Sequence, residues 1–164
     1  MLRLLNKICI ILDKVMVFLA SVFLLAMFSI IVANAIMRYV FNSSFLWAYD
    51  VLRVLMVGLV FFAACIVYYR NEHIRFVFLY ERLPEPIKKS LNILMYVSFC
   101  VLFLVLGVKG IQFSVGAWSI KLAASGVSNF WLYIFLSISM IVMVIDSLKL
   151  ILEEIVPMKE EARK

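Results

Sequence analysis

Four stretches without a charged residue set the terms for everything else this chain can become. Val15–Met37, Val54–Tyr69, Ser90–Val108 and Leu122–Ile145 contain no Asp, Glu, Lys, Arg or His. A helix needs about 20 apolar residues to cross a hydrocarbon core of about 30 Å. The second run reaches back toward Leu46 once Asp50 and Arg53 are placed in its first turns. In the fourth, the turn-forming Ser125-Gly126-Val127-Ser128-Asn129 delays the helix to about Phe130. Backbone groups in lipid must satisfy each other, so each run is expected to be helical. The ten-residue alternation of a barrel strand is absent.

The expected fold is an all-α integral membrane protein built as a single membrane domain over residues 1–164. Its four transmembrane helices are expected at about 15–37, 47–69, 90–108 and 130–150, with a connector over 70–89. Composition supports this: 66% of residues are hydrophobic and 16% charged, against roughly half and a quarter in a soluble domain. No polar stretch is long enough to fold as a soluble catalytic domain.

Lys and Arg set the orientation. Arg3, Lys7 and Lys14 precede the first span; Arg70, Arg75, Arg82, Lys88 and Lys89 join the second to the third; Lys149, Lys159, Arg163 and Lys164 follow the fourth. These are twelve of the sixteen basic residues. The positive-inside bias therefore puts both termini and the middle connector in the cytoplasm. Contact with membrane lipids accounts for the net charge of +6 without invoking nucleic acid.

Residues 2–14 alternate apolar Leu2, Leu5, Ile8, Cys9 and Leu12 with polar Arg3, Asn6, Lys7, Asp13 and Lys14 at helical spacing. This segment is expected to lie along the membrane surface or to continue into the first span. Ile74–Leu83 is a second interfacial candidate, ended by Pro84-Glu85-Pro86. Ala33-Asn34-Ala35 resembles a signal-peptidase site, but the apolar run before it is longer than a signal peptide's, and the segment is expected to stay uncleaved. Cys9, Cys65 and Cys100 have no motif spacing and are expected to be buried free thiols.

Few polar groups lie within the runs. Ser29 and Ala33 form a small-xxx-small step that would let helices approach closely, and Asn34 is expected to hydrogen-bond a neighbouring helix. Trp47, Asp50 and Arg53 follow at three-residue steps on one side of the second helix, with Arg38 across the short loop. Asp50 suits a helix N-terminus and is the nearest partner for Arg53. Two roles are open for this cluster: interfacial anchoring, or docking of another membrane subunit. Asp146 and Lys149 form an i, i+3 pair near the other end. His73, the one histidine, stands beside Glu72 without the companions of a metal site or a catalytic dyad. No cofactor, metal or enzymatic activity is expected.

The ordered set Arg38-Tyr39-x-Phe41-Asn42-x-Ser44-x-x-Trp47-x-x-Asp50-x-x-Arg53, then Glu72-His73-Ile74, then Leu83-Pro84, resembles the small membrane subunit, DctQ type, of tripartite ATP-independent periplasmic (TRAP) transporters. Asp50 stands where that family commonly has Glu, Arg75-Phe76 where an Asp often follows the His-Ile pair, and Ser128-Asn129 where a Pro is frequent. The resemblance implies a bacterial inner-membrane scaffold for a large multi-span subunit. That partner works as a sodium-coupled elevator, and a periplasmic substrate-binding protein supplies it with an organic acid, sialic acid or a C4-dicarboxylate. It also implies a subunit interface including Asn34, Arg38, Trp47, Asp50 and Arg53 at the outer side and Glu72 and His73 at the inner side. The partner is expected to be a separate chain. A self-sufficient four-span exporter is the alternative, although the first span lacks the carboxylate such small exporters use for proton coupling.

Overall fold

The computed structural model describes residues 2–70 and 85–155. It contains four helices: α1 (Leu2–Phe41), α2 (Leu46–Tyr69), α3 (Glu85–Gly116) and α4 (Phe130–Ile155). Each has a stretch long and apolar enough to cross a membrane, over Leu5–Phe41, Leu46–Tyr69, Ser90–Gly116 and Phe130–Leu152. The second and fourth helices begin at Leu46 and Phe130, against expected starts at about 47 and 130.

The other two elements are longer than expected. Residues 2–14 form no separate element but are the first turns of a 40-residue α1. No Gly or Pro interrupts this helix, and its inward stripe runs unbroken through Cys9, Met16, Phe23 and Asn34. At about 1.5 Å per residue α1 is about 60 Å long, twice the hydrocarbon core, so it must project beyond it. Helix α3 continues past Lys109 to Gly116. Lys109 is exposed, and its ammonium donates to Gln112 Oε1 at 3.1 Å. A charge on an exposed face ends an uncharged run without ending a helix. At the start of α3, Pro86 occupies the first turn, where its missing N–H costs nothing.

Successive helices run antiparallel, so the connections 42–45 and 117–129 lie at one end of the bundle. Helix α4 packs along α3 and also against α2 and α1, while α1 packs chiefly on α2. The core contains Met16, Phe62, Cys65, Tyr68, Phe103, Met140, Val142 and Met143. Phe23, Phe62 and Phe135 bring α1, α2 and α4 together in edge-to-face pairs with centroids 5.3–5.6 Å apart. The Tyr68 ring meets Phe103 of α3 edge-on at 5.2 Å. Lipid offers helices no hydrophobic drive to associate, so close packing and polar cross-links must hold them.

Helices α3 and α4 pack along a seam where Phe103, Gly107, Gly110, Ser114 and Ala117 are buried at alternating steps of four and three. Gly107 lies against Met140 and Ile141, and Gly110 against Ser137 and Leu136. Ser29 and Ala33, the step expected to serve this purpose, are both exposed, and the Ser29 hydroxyl turns back to the Leu25 carbonyl at 2.9 Å. Among the described residues that face of α1 meets no other helix, so its small residues have no described backbone to admit.

At the opposite end of the bundle Asp146 is 3% exposed and lies beside Cys9 of α1. Lys149, one turn on, places its ammonium 4.8 Å from the centroid of the Tyr69 ring. The three cysteines are free, with Cys9 and Cys65 buried and Cys100 partly so.

Candidate subunit interface

Five of the residues singled out from sequence, Asn34, Arg38, Trp47, Asp50 and Arg53, lie at the bundle end that carries the 42–45 and 117–129 connections. Helix α1 ends in a left-handed turn at Asn42 (φ 51°), a conformation asparagine tolerates better than most residues. The Ser43 N–H then reaches back to the Met37 carbonyl at 3.2 Å. Phe45, extended at φ −78° and ψ 105°, caps α2 without a side-chain acceptor of its own. Its N–H instead donates to Asn34 Oδ1 at 2.9 Å. Asn34 is therefore the acceptor that ties the α1–α2 turn to α1, with its partner a backbone amide rather than a neighbouring helix's side chain. Asn34→Ala is expected to cost about 1 kcal/mol, the usual worth of a capping acceptor, and thermal unfolding in detergent checks it.

Asp50 does not pair with Arg53 as the spacing suggested. Its Oδ2 accepts two backbone N–H bonds from the other hairpin, from Ala124 at 3.0 Å and Ser125 at 2.9 Å. Two amides aimed at one carboxylate oxygen make charge-assisted bonds, with the charge of the exposed Arg53 acting on the carboxylate from nearby. The connection that supplies them is itself tied. Leu122 N–H bonds the Val127 carbonyl at 2.8 Å, Gly126 N–H bonds Leu122 at 2.9 Å, and Lys121 bridges Ser128. Gly126 sits at φ +70°, where a side chain would be strained. The Ser128 hydroxyl donates to the Trp118 carbonyl at 2.8 Å and accepts from Phe130 N–H at 3.1 Å, which starts α4.

The cluster read from sequence therefore divides. Asn34 and Asp50 are half-buried and occupied within the chain, whereas Arg38, Trp47 and Arg53 are exposed. Trp47 lies against Phe45, ring centroids 5.4 Å apart, and is still 43% exposed. Glu72 and His73 lie outside the described residues. The amides of Ala124 and Ser125 were not singled out from sequence. The turn signal at 125–129 marked a loop, but nothing in it pointed to a carboxylate 74 residues earlier. Among the described residues no group of three or more His, Cys, Asp or Glu side chains is placed to hold a metal. The site offers a rigid frame with two cations and an indole facing outward, which suits recognition and not bond-making.

Comparison with known proteins fits a frame of this kind. The chain is 27% identical over 134 residues to the sialic acid TRAP transporter permease protein SiaT of Haemophilus influenzae (strain 86-028NP), a match covering 80% of this chain and 21% of that protein. It is 24% identical over 123 residues to a protein of Haemophilus influenzae (strain ATCC 51907 / DSM 11121 / KW20 / Rd) described as a TRAP transporter small permease protein, covering 75% of this chain and 74% of that one. The chain thus spans about a fifth of the length of SiaT and about three quarters of the small permease protein. The family described as tripartite ATP-independent periplasmic transporters, DctQ component, matches residues 27–156, a stretch that takes in both connections, the Asn34–Arg53 cluster and the α3–α4 seam. With four apolar helices and a match over most of its length, the chain belongs to the DctQ component of the TRAP transporters, a family of membrane transport subunits and not of enzymes.

Proposed function

We propose that this subunit is the fixed scaffold of a sodium-coupled importer of an organic acid. It anchors a large multi-span subunit that moves the substrate as an elevator, and it binds no substrate itself. The observation that carries the reading is the division of labour at the Asn34–Arg53 end. Two polar side chains lock the connections, while Arg38, Trp47 and Arg53 face outward from the locked frame. Arginine and tryptophan on a rigid support are the residue types that anchor protein interfaces. Glu72 and His73 are proposed to contribute the inner part of the same contact. Both termini and the 70–89 connector are assigned to the cytoplasm by the positive-inside rule. The projecting start of α1, with its basic residues, then rests at the cytoplasmic surface of the bacterial inner membrane among lipid headgroups. The substrate, delivered by a periplasmic binding protein, is proposed to be sialic acid or a C4-dicarboxylate. The name of the SiaT relative favours the first.

The test is co-expression with the large subunit, a tag on this chain alone, and purification in mild detergent. A stoichiometric complex is expected. Arg53→Leu is expected to lower recovery of the large subunit about tenfold at equal expression, equivalent to ~1.4 kcal/mol of association free energy. Unchanged recovery would remove Arg53 from the interface. A chain that purifies alone and moves solutes in liposomes would replace the scaffold reading with that of a self-sufficient exporter.

A further inference from the structure

The polar contacts between the two hairpins are unevenly placed. The α1–α2 hairpin meets the α3–α4 hairpin through Tyr68 to Ser147, Cys65 to the Ser139 carbonyl, and Cys9 to Asp146. These lie toward the end of α2 and the start of α1. At the other end the described contact of this kind is Asp50 with the Ala124 and Ser125 amides. Residues 50 and 65 are separated by about 22 Å of helix, filled by apolar packing around Gly58 and the Phe23–Phe62–Phe135 group. Each hairpin is separately closed at the Asp50 end, one by Asn34 and the other by Ser128. In lipid, helices are held by close packing and polar cross-links together, and at this end the described polar cross-link between the hairpins is the Asp50 contact.

We infer that Asp50 is a positioning residue: its carboxylate fastens the 117–129 connection to α2 and so keeps the two hairpins from splaying at the end that carries Arg38, Trp47 and Arg53. The required chemistry is an acceptor for two N–H groups, which a neutral amide oxygen also provides. The fastening itself stands on the hydrogen bonds. Its consequence for transport rests on the scaffold reading, because a loosened frame would hold the large subunit at variable tilt while still binding it.

The experiment uses the full chain in complex with its large subunit, with Cys100 replaced by serine and spin labels at Tyr39 and Ile120, which are 81% and 55% exposed. A second pair at Val67 and Leu148 reports on the opposite end. Asp50→Ala is expected to broaden the Tyr39–Ile120 distance distribution and leave the Val67–Leu148 distribution as in the parent. Hydrogen exchange at Ala124 and Ser125 should rise at least about tenfold, the shift expected on losing charge-assisted bonds. Substrate uptake should fall several-fold while co-purification is retained, and Asp50→Asn should restore both distance and uptake. An unchanged Tyr39–Ile120 distribution in Asp50→Ala would overturn the inference, as would equal broadening at both ends. Wild-type uptake from a splayed complex would overturn its link to transport. Failure of the parent chain to bind a large subunit would instead remove the scaffold reading, while the distance measurement on the chain alone would still decide the fastening.

Discussion

Gly110→Leu is expected to destabilise the bundle by about 3 kcal/mol or more, at the upper end of the overpacking range, and to loosen α3 from α4. A Cβ on residue 110 would overlap the Ser137 hydroxyl and lie 2.7 Å from a Leu136 methyl. Ser137 cannot easily give way, because its hydroxyl is bonded to the Tyr133 carbonyl at 2.9 Å and the residue is 1% exposed. Leucine adds a branched group beyond that first collision, so the helices must separate. Separation is costly for α3 in particular, since α4 is its main neighbour. Two controls give the sign of the effect. Gly107→Ala meets Met140 Cβ at an ordinary 3.4 Å, and the gain in helix propensity should make it close to neutral. Gly116→Leu meets nothing within 4 Å and should leave the transition near that of the parent. Thermal unfolding in detergent, followed by tryptophan fluorescence, ranks the three. A Gly110→Leu midpoint equal to that of Gly116→Leu would show that the seam is not close-packed.

The helices were legible in the sequence because lipid makes charge conspicuous. The uncharged runs located every span, and the turn residues at 125–129 correctly delayed α4 to Phe130. The same signal misled at Lys109, where the charge lies on an exposed face and the helix continues; for residues 2–14 it left two outcomes open, and the structure shows continuation into the first span. Which small residues mediate close approach was not legible. Ser29-x-x-x-Ala33 and Gly110-x-x-x-Ser114 are equivalent as patterns, and only the second meets another helix. The longer series Phe103, Gly107, Gly110, Ser114, Ala117 was the discriminating signal, since it repeats over four steps instead of one. At the candidate interface, sequence grouped Asn34, Arg38, Trp47, Asp50 and Arg53, and the structure brings these five to one end of the bundle, while Glu72 and His73 lie outside the described residues. Sequence could not assign Asp50 to Ala124 and Ser125, because those donors are backbone amides, which every residue but proline carries. Local spacing favoured Arg53, and tertiary structure overrode it.

Tyr68→Ala is the second large effect expected, about 3 kcal/mol, toward the low end of the range for removing a buried aromatic. The low end applies because helices that separate in a bilayer remain in an apolar solvent. The loss is then cavity and contact energy with little transfer from water. Tyr68 is 1% exposed, and its ring meets Phe103 at 5.2 Å and Phe99 at 6.2 Å. It is thus a side chain through which α2 reaches α3, and truncation leaves a void where three helices meet. Its hydroxyl makes a smaller contribution. The Ser147 hydroxyl donates to the Met143 carbonyl at 2.7 Å, so the Tyr68 O–H is the donor in the 2.6 Å bond between them. Tyr68→Phe removes that donor and leaves Ser147 its own acceptor, for an expected cost of about 0.6 kcal/mol, the average of interhelical hydrogen bonds in membranes. The comparison separates packing from hydrogen bonding at one position. A Tyr68→Phe loss as large as that of Tyr68→Ala would make the polar cross-link the main bond between α2 and α4. A small one places most of the holding energy in the aromatic ring, so that the hydroxyl chiefly sets the register in which α2 and α4 pack.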